Sequence, residues 1–221
     1  MSAKEKKFIL SKLTGIFYET PCFIIGNAPS LLNINLTMVE PFLTIGINRS
    51  YRAIKTSFLM WQDPELMKDC RVDLERFDGV CVCTPKADPG NKFSHFVIRG
   101  QKFHKSSNPS VLHGRGSTGP LAVQFAAALG CKPIFLLGMD CILRGRMTDF
   151  YGNNRDWKPH TPRLCANGLK WIFTNFTQEE VQNLSPHPEA VYDSTRKFYK
   201  YAIGREKYLS MIRKRSSSVR A

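Results

Sequence analysis

Residues 117–140 read STGPLAVQFAAALGCKPIFLLGMD. Ser and Thr open the segment as helix-capping types, an Ala-rich apolar run follows, and Gly130 supplies the stop. The chain then re-enters apolar character at PIFLLG before Asp140, which reads as a buried strand. A helix feeding such a strand is the repeating unit of an α/β sheet, so this stretch sets the expectation for the rest.

Working outward, PCFIIG (21–26), FLTIGIN (42–48), SFLMWQD (57–63) and GVCVCTP (79–85) read as four further strands, each ending in polar or turn-forming residues. PSLLNINLTMVEP (29–41) is long enough for a short helical crossover. Residues 86–116, rich in Gly, Ser, Asn, Lys and His, read as irregular and partly exposed, and residues 141–163 as polar and irregular. PRLCANGLKWIFTNF (162–176) predicts another helix and EEVQNLSP (179–186) a short last strand. Strands alternating with crossovers predict a mostly parallel, doubly wound sheet. One domain over residues 1–191 is expected, followed by a basic C-terminal helix or tail over residues 192–221.

The 221 residues carry 32 Lys and Arg against 18 Asp and Glu, a formal charge of +14. Nine basic and two acidic residues fall in 192–221, which supplies half of that charge. A field of this size implies an anionic partner, and the aromatic-studded basic tail suits phosphates and bases as well as it suits packing on a core. No apolar run approaches the length of a membrane span, and MSAKEKKFIL lacks a secretory leader pattern, so a cytoplasmic protein with no membrane partner is expected. Seven cysteines form no paired framework, and Cys70, Cys81 and Cys83 lack the spacing of a zinc site. His95, His104 and His113 recur at nine-residue intervals, which has no metal-ligand meaning, and they read as surface or phosphate-adjacent residues. No metal site is expected. Trp61 is expected in the core.

Ligands of open parallel sheets bind outside the carboxyl ends of the strands. There the sequence places Gly26, Asn27 and Ser30, then Asn48 and Arg49, then Asp63, and later Asp140. GNAPS and GRGSTG are two turns whose backbone N–H groups could face a phosphate. Neither a P-loop nor a strand-linked G-x-G-x-x-G is present, and G-x-S-x-G and H-E-x-x-H are absent as well. P-loop kinases, ordinary dinucleotide enzymes, serine hydrolases and zinc proteases are thereby set aside.

Taken together, IIGNAPSL, IGINRSY, WQDP and GSTGPLAVQFAAALGCKPIFLLGMD resemble the Rossmann-like group that contains the bacterial family 42 sialyltransferases and the archaeal-type 6-hydroxymethylpterin diphosphokinases. The resemblance runs over about residues 22–190 and leaves the basic tail uncovered. Its sialyltransferase branch implies a nucleotide-sugar donor, a CMP-sugar, held by Gly26, Asn27, Ser30, Asn48, Asp63, Arg115, Ser117, Thr118, Gly119 and Asp140. PHTPRLCANGLKWI is similar to the segment that carries that branch's catalytic base, which implies the role for His160. A histidine suits deprotonation of an acceptor hydroxyl, and Arg115 with the turns suits the departing phosphate. Two departures stand out. Cys141 and Ile142 replace the tyrosines that assist the leaving phosphate, with Tyr151 the nearest candidate, and Ala28 replaces a glycine of the first turn.

The diphosphokinase branch implies ATP on the same edge, with Asp63 and Asp140 helping to hold Mg²⁺. Three functions are thus in play: a glycosyltransferase, whose acceptor on the charge argument is a hydroxylated base such as those of modified viral (phage) DNA; an ATP-dependent diphosphokinase of a small heterocyclic alcohol; and a non-catalytic nucleic-acid-binding protein.

Overall fold

Four apolar runs pair through their backbones because each is buried on both faces: β1 (Cys22–Ile25), β2 (Leu43–Ile47), β3 (Phe58–Trp61) and β4 (Val80–Cys83). A computed structural model describes residues 7–114, 116–140, 148–152 and 161–185. The strands continue with β5 (Ser94–His95), β6 (Val97–Arg99), β7 (Val111–His113), β8 (Ile134–Leu137) and β9 (Val181–Asn183). The main sheet has seven strands in the order β5-β4-β3-β2-β1-β8-β9, and every described pairing in it is parallel. Chain order therefore runs outward from β1 to β5 and then restarts on the other side of β1 with β8, which makes the β1/β8 seam the switch point of the sheet.

Alternation along the strands divides the core. Cys22 and Ile24 of β1 join Phe58 and Met60 of β3 in a large cluster under the helices α2 (Thr118–Ala128) and α3 (Thr161–Asn175). Phe23 and Ile25 face the other way, where Leu31 and Val39 cover them. Leu59 and Trp61 pack on that second face under α1 (Pro64–Arg76), where Trp61 is fully buried against Phe93. Helical layers on both faces give the doubly wound α/β architecture.

Three local readings needed adjustment. The crossover at 29–41 is two 3-10 turns, Pro29–Asn33 and Leu36–Val39, and the Asn35 side chain accepts from the Thr37 N–H at the start of the second. Helix α1, which the sequence reading did not single out, uses Leu66, Met67, Cys70 and Leu74 as its buried stripe and kinks at Cys70. Residues 86–114 form more regular structure than expected: they supply β5 and the separate parallel ribbon β6–β7. The fully buried Gln124 of α2 holds that ribbon, accepting from the His113 N–H and donating to the His113 carbonyl, both at 2.8 Å.

Helix α2 and strand β8 stand where residues 117–140 predict them, with Gly130 at φ +89° closing the helix. No helix among the described residues is long and apolar enough to cross a membrane. The segment 192–221 lies outside the described residues.

Candidate functional site

A cavity of about 600 Å³ opens at the carboxyl ends of β1, β2, β3 and β8. Of the residues picked from sequence, Gly26, Asn27, Asn48, Asp63, Ser117, Thr118, Gly119 and Tyr151 all line it. Ser30 and Asp140 do not. Both are fully buried and bind each other, the Ser30 hydroxyl donating to Asp140 Oδ1 at 2.5 Å and its N–H to Oδ2 at 3.2 Å. Arg115 and His160 lie outside the described residues, as do Cys141 and Ile142. None of His95, His104 and His113 lines the cavity; His95 pairs with Asp88, and the rings of His104 and His113 meet edge to face.

The first wall is the turn after β1. A Cβ on Gly26 would stand 2.1 Å from the Gly138 carbonyl oxygen, so only glycine lets β1 and β8 approach this closely at the switch point. Ala28 sits at φ −65° and ψ 152°, extended backbone open to any residue, and the replaced glycine costs nothing there. The Asn27 amide donates to the Ile47 carbonyl at 3.0 Å, tying the turn to β2, and the Asn27 carbonyl accepts from the Phe150 N–H at 2.8 Å. That second bond brings the 148–152 segment, with Tyr151, over the turn.

The second wall follows β2. Asn48 adopts φ +53°, a left-handed conformation that Asn tolerates better than other side chains with a Cβ. The Oδ1 atoms of both Asn27 and Asn48 are buried without a hydrogen-bond partner. One thus belongs to each of the first two walls, and such unpaired acceptors stand out because buried polar atoms in folded proteins are nearly always paired. Arg49 lines the cavity beside them, with a side chain only 11% exposed, and is ion-paired to Asp69 on α1.

The third wall is α2. Ser117 occupies the N-cap position, yet its side chain makes no capping bond, and Thr118 Oγ1 takes a bond from Gln62 Nε2 at 3.3 Å instead. The first turn of α2 thus presents backbone N–H groups that Ser117 does not cap, at the positive end of the helix dipole. Asp63, at the N-cap of α1, likewise makes no side-chain capping bond.

Tyr151 closes the ring of residues. Arg49 is hydrogen-bonded to its side chain, and the Arg52 guanidinium lies 5.5 Å from its ring centre. Burial first, then the negative charge of Asp149, pushes the Tyr151 hydroxyl well above the ordinary tyrosine range, so it is a neutral proton donor.

No protein-family model and no curated protein sequence matches the chain. Solved structures with a similar chain path include the sialyltransferase CstII from Campylobacter jejuni in complex with the substrate analogue CMP-3FNeuAc, at 12% identity and a TM-score of 0.45, covering 76% of this chain and 82% of that one. CST-II in complex with a trisaccharide acceptor and CMP matches at 16% identity and a TM-score of 0.45, over 75% and 81% of the two chains. A mammalian sialyltransferase in complex with Gal-beta-1-3GalNAc-ortho-nitrophenol follows at 14% identity and a TM-score of 0.38, over 76% and 70%. Likeness at this level assigns neither substrate nor residue role.

Several lining residues carried no sequence signal of their own. Gln62 and Met139 sit next to the flagged aspartates, and Thr148, Asp149, Thr161 and Cys165 come from segments read only as loop or helix. The two aspartates considered for Mg²⁺ do not share the cavity: Asp63 lines it, whereas Asp140 is enclosed with Ser30.

Proposed function

We propose that this chain is a nucleotide-sugar-dependent glycosyltransferase, sialyltransferase-like in its donor site, that passes a sugar to an acceptor hydroxyl. One observation carries the reading. Turns distant in sequence, holding Gly26 and Asn27, Asn48 and Arg49, and Ser117 to Gly119, surround one cavity with Tyr151 at the switch point, where open parallel sheets take nucleotides.

The roles follow from chemistry. The α2 N-terminus and Arg49 favour a phosphate, and the orphaned Asn27 and Asn48 oxygens offer acceptors to donor groups of a base or ribose. In the transfer, the acceptor oxygen bonds to the anomeric carbon while that carbon's bond to the nucleotide phosphate breaks, the electron pair leaving on the phosphate. Tyr151 donates a hydrogen bond to the departing oxygen and Arg49 offsets its charge. His160 takes the acceptor's proton; it directly precedes Thr161, a cavity-lining residue. Arg115, joined to the lining residue Gly116, adds a second cation. The +14 charge supports a polyanionic acceptor, and a hydroxylated base in DNA fits that description.

Calorimetric titration with CMP, CMP-sugars, UDP-sugars and ATP with Mg²⁺ tests the donor. Binding of a CMP-sugar, weakened at least tenfold by Asn48→Gly, supports the reading; binding of ATP with Mg²⁺ alone overturns it in favour of diphosphoryl transfer. The acceptor is tested separately by gel shift with duplex and single-stranded DNA at low salt, and absence of binding there removes the DNA acceptor.

A further inference from the structure

Away from the cavity, three residues that share no spacing motif come together at the outer edge of the sheet. β4 and β5 pair with Cys83 opposite His95, and Asp88 ends the 3-10 turn Pro85–Ala87 between them. A Cys83 sulfur, an Asp88 carboxylate oxygen and a His95 ring nitrogen all lie within 4.8 Å of one another. Among the described residues this is the one such group of three or more His, Cys, Asp and Glu side chains.

The arrangement of Asp88 gives the cluster its meaning. Its Oδ2 accepts from the Phe93 N–H at 2.8 Å and faces His95 Nε2 at 2.9 Å. Its Oδ1 is buried with no partner, in a residue that is 2% exposed. A His95–Asp88 pair alone leaves that oxygen orphaned, in a cluster whose sulfur is itself fully buried. A nucleophilic Cys–His–Asp triad fares no better, because no substrate reaches a sulfur with 0% exposure. A cation satisfies the thiolate, the imidazole and the free carboxylate oxygen at once.

We propose that Cys83, Asp88 and His95 bind a divalent transition cation, Zn²⁺ by the character of the donors, which clamps the end of β4, the turn after it and β5. Sulfur, imidazole nitrogen and carboxylate oxygen form a donor set typical of tetrahedral Zn²⁺, whose bond lengths place ligand atoms roughly 3.3–3.7 Å apart, within the span of this cluster. The Phe93 N–H holds the carboxylate in place as an outer partner. His95, with a side chain 19% exposed, provides the route to solvent. The clamp also bears on the cavity, since Thr84, next to Cys83, donates to the carbonyl of the lining residue Gln62 at 3.1 Å. This site is independent of the donor-site reading.

The test uses the full, tag-free chain stripped with chelator and titrated with Co²⁺ and then Zn²⁺. The expected result is one Co²⁺ per chain with an intense thiolate-to-cobalt absorption, displaced by Zn²⁺, and an upward shift of the melting temperature with Zn²⁺. Cys83→Ser should abolish the thiolate band, and His95→Gln, a change at a partly exposed residue that near-ultraviolet dichroism can verify as folded, should weaken Co²⁺ binding at least tenfold. Absence of the band in the unmodified chain, or its persistence in Cys83→Ser, or unchanged affinity in folded His95→Gln, overturns the proposal.

Discussion

Ser30 and Asp140, 110 residues apart, form a fully buried pair joined by two hydrogen bonds from Ser30, one from its hydroxyl and one from its N–H. The pair fastens the turn after β1 to the chain just beyond β8 without lining the cavity. Its role is thus to position Gly26 and Asn27, and removing one partner of a buried hydrogen bond costs about 2 kcal/mol. Ser30→Ala is expected to lower stability by that amount in urea unfolding, with a fall in melting temperature of about 4–8 °C. A loss below about 0.5 kcal/mol would show that the pair holds nothing.

At the carboxyl end of the seam between β1 and β8, Gly26 and Gly138 leave no room for a side chain. Gly26→Ala drives its Cβ into the Gly138 carbonyl, a backbone atom that cannot swing aside, and Gly138→Ala meets Leu31 Cγ at 2.6 Å from a φ of +64°. Each change is expected to cost about 3 kcal/mol. Leu31→Ala should relieve part of the Gly138→Ala cost but none of the Gly26→Ala cost, and a double-mutant cycle measures the difference.

Asn48 separates strain from binding. At φ +53°, Asn48→Ala should lose about 1 kcal/mol of stability, while Asn48→Gly relaxes the backbone and keeps it. Both remove the orphaned Oδ1, so both should lose nucleotide affinity equally. Calorimetry beside urea melts resolves the two effects, and an Asn48→Gly protein that binds as tightly as the original would falsify the ligand role of that oxygen.

Tyr151 carries a pH signature. Its hydroxyl is held above the ordinary tyrosine value, so the folded state keeps a proton that the unfolded state releases from about pH 10 upward. The stability linked to that proton is intact below pH 10 and declines as the pH rises further. Urea melts between pH 8 and 11 should show a shallower alkaline decline in Tyr151→Phe than in the original chain. Transfer assays should show Tyr151→Phe lowering kcat with no change in the alkaline limb at pH 8–9, since a neutral donor does not titrate there.

Much of the architecture was legible locally. Five buried strands, β1 to β4 and β8, and the helix–strand unit at residues 117–140 stand where their apolar runs predict, because a strand buried on both faces needs continuous apolar sequence. The ribbon β6–β7 was not legible, since its three-residue strands are too short to show a period and are held by Gln124 from outside the segment. Helix α1 has a readable apolar stripe, but its kink at Cys70 and its charged outer face weaken the pattern.

The sequence by itself determined which segments are buried and which residues turn the chain at the strand ends, because burial and turn chemistry are properties of a few consecutive residues. Tertiary structure alone decided which of those residues share a cavity. Strand order brings Asn27, Asn48 and Ser117 around one opening, turns Ser30 and Asp140 inward onto each other, and sets Cys83 against Asp88 and His95 at the far edge. These meetings depend on parallel register and on the reversal of strand order at β1, and no local run of residues encodes either.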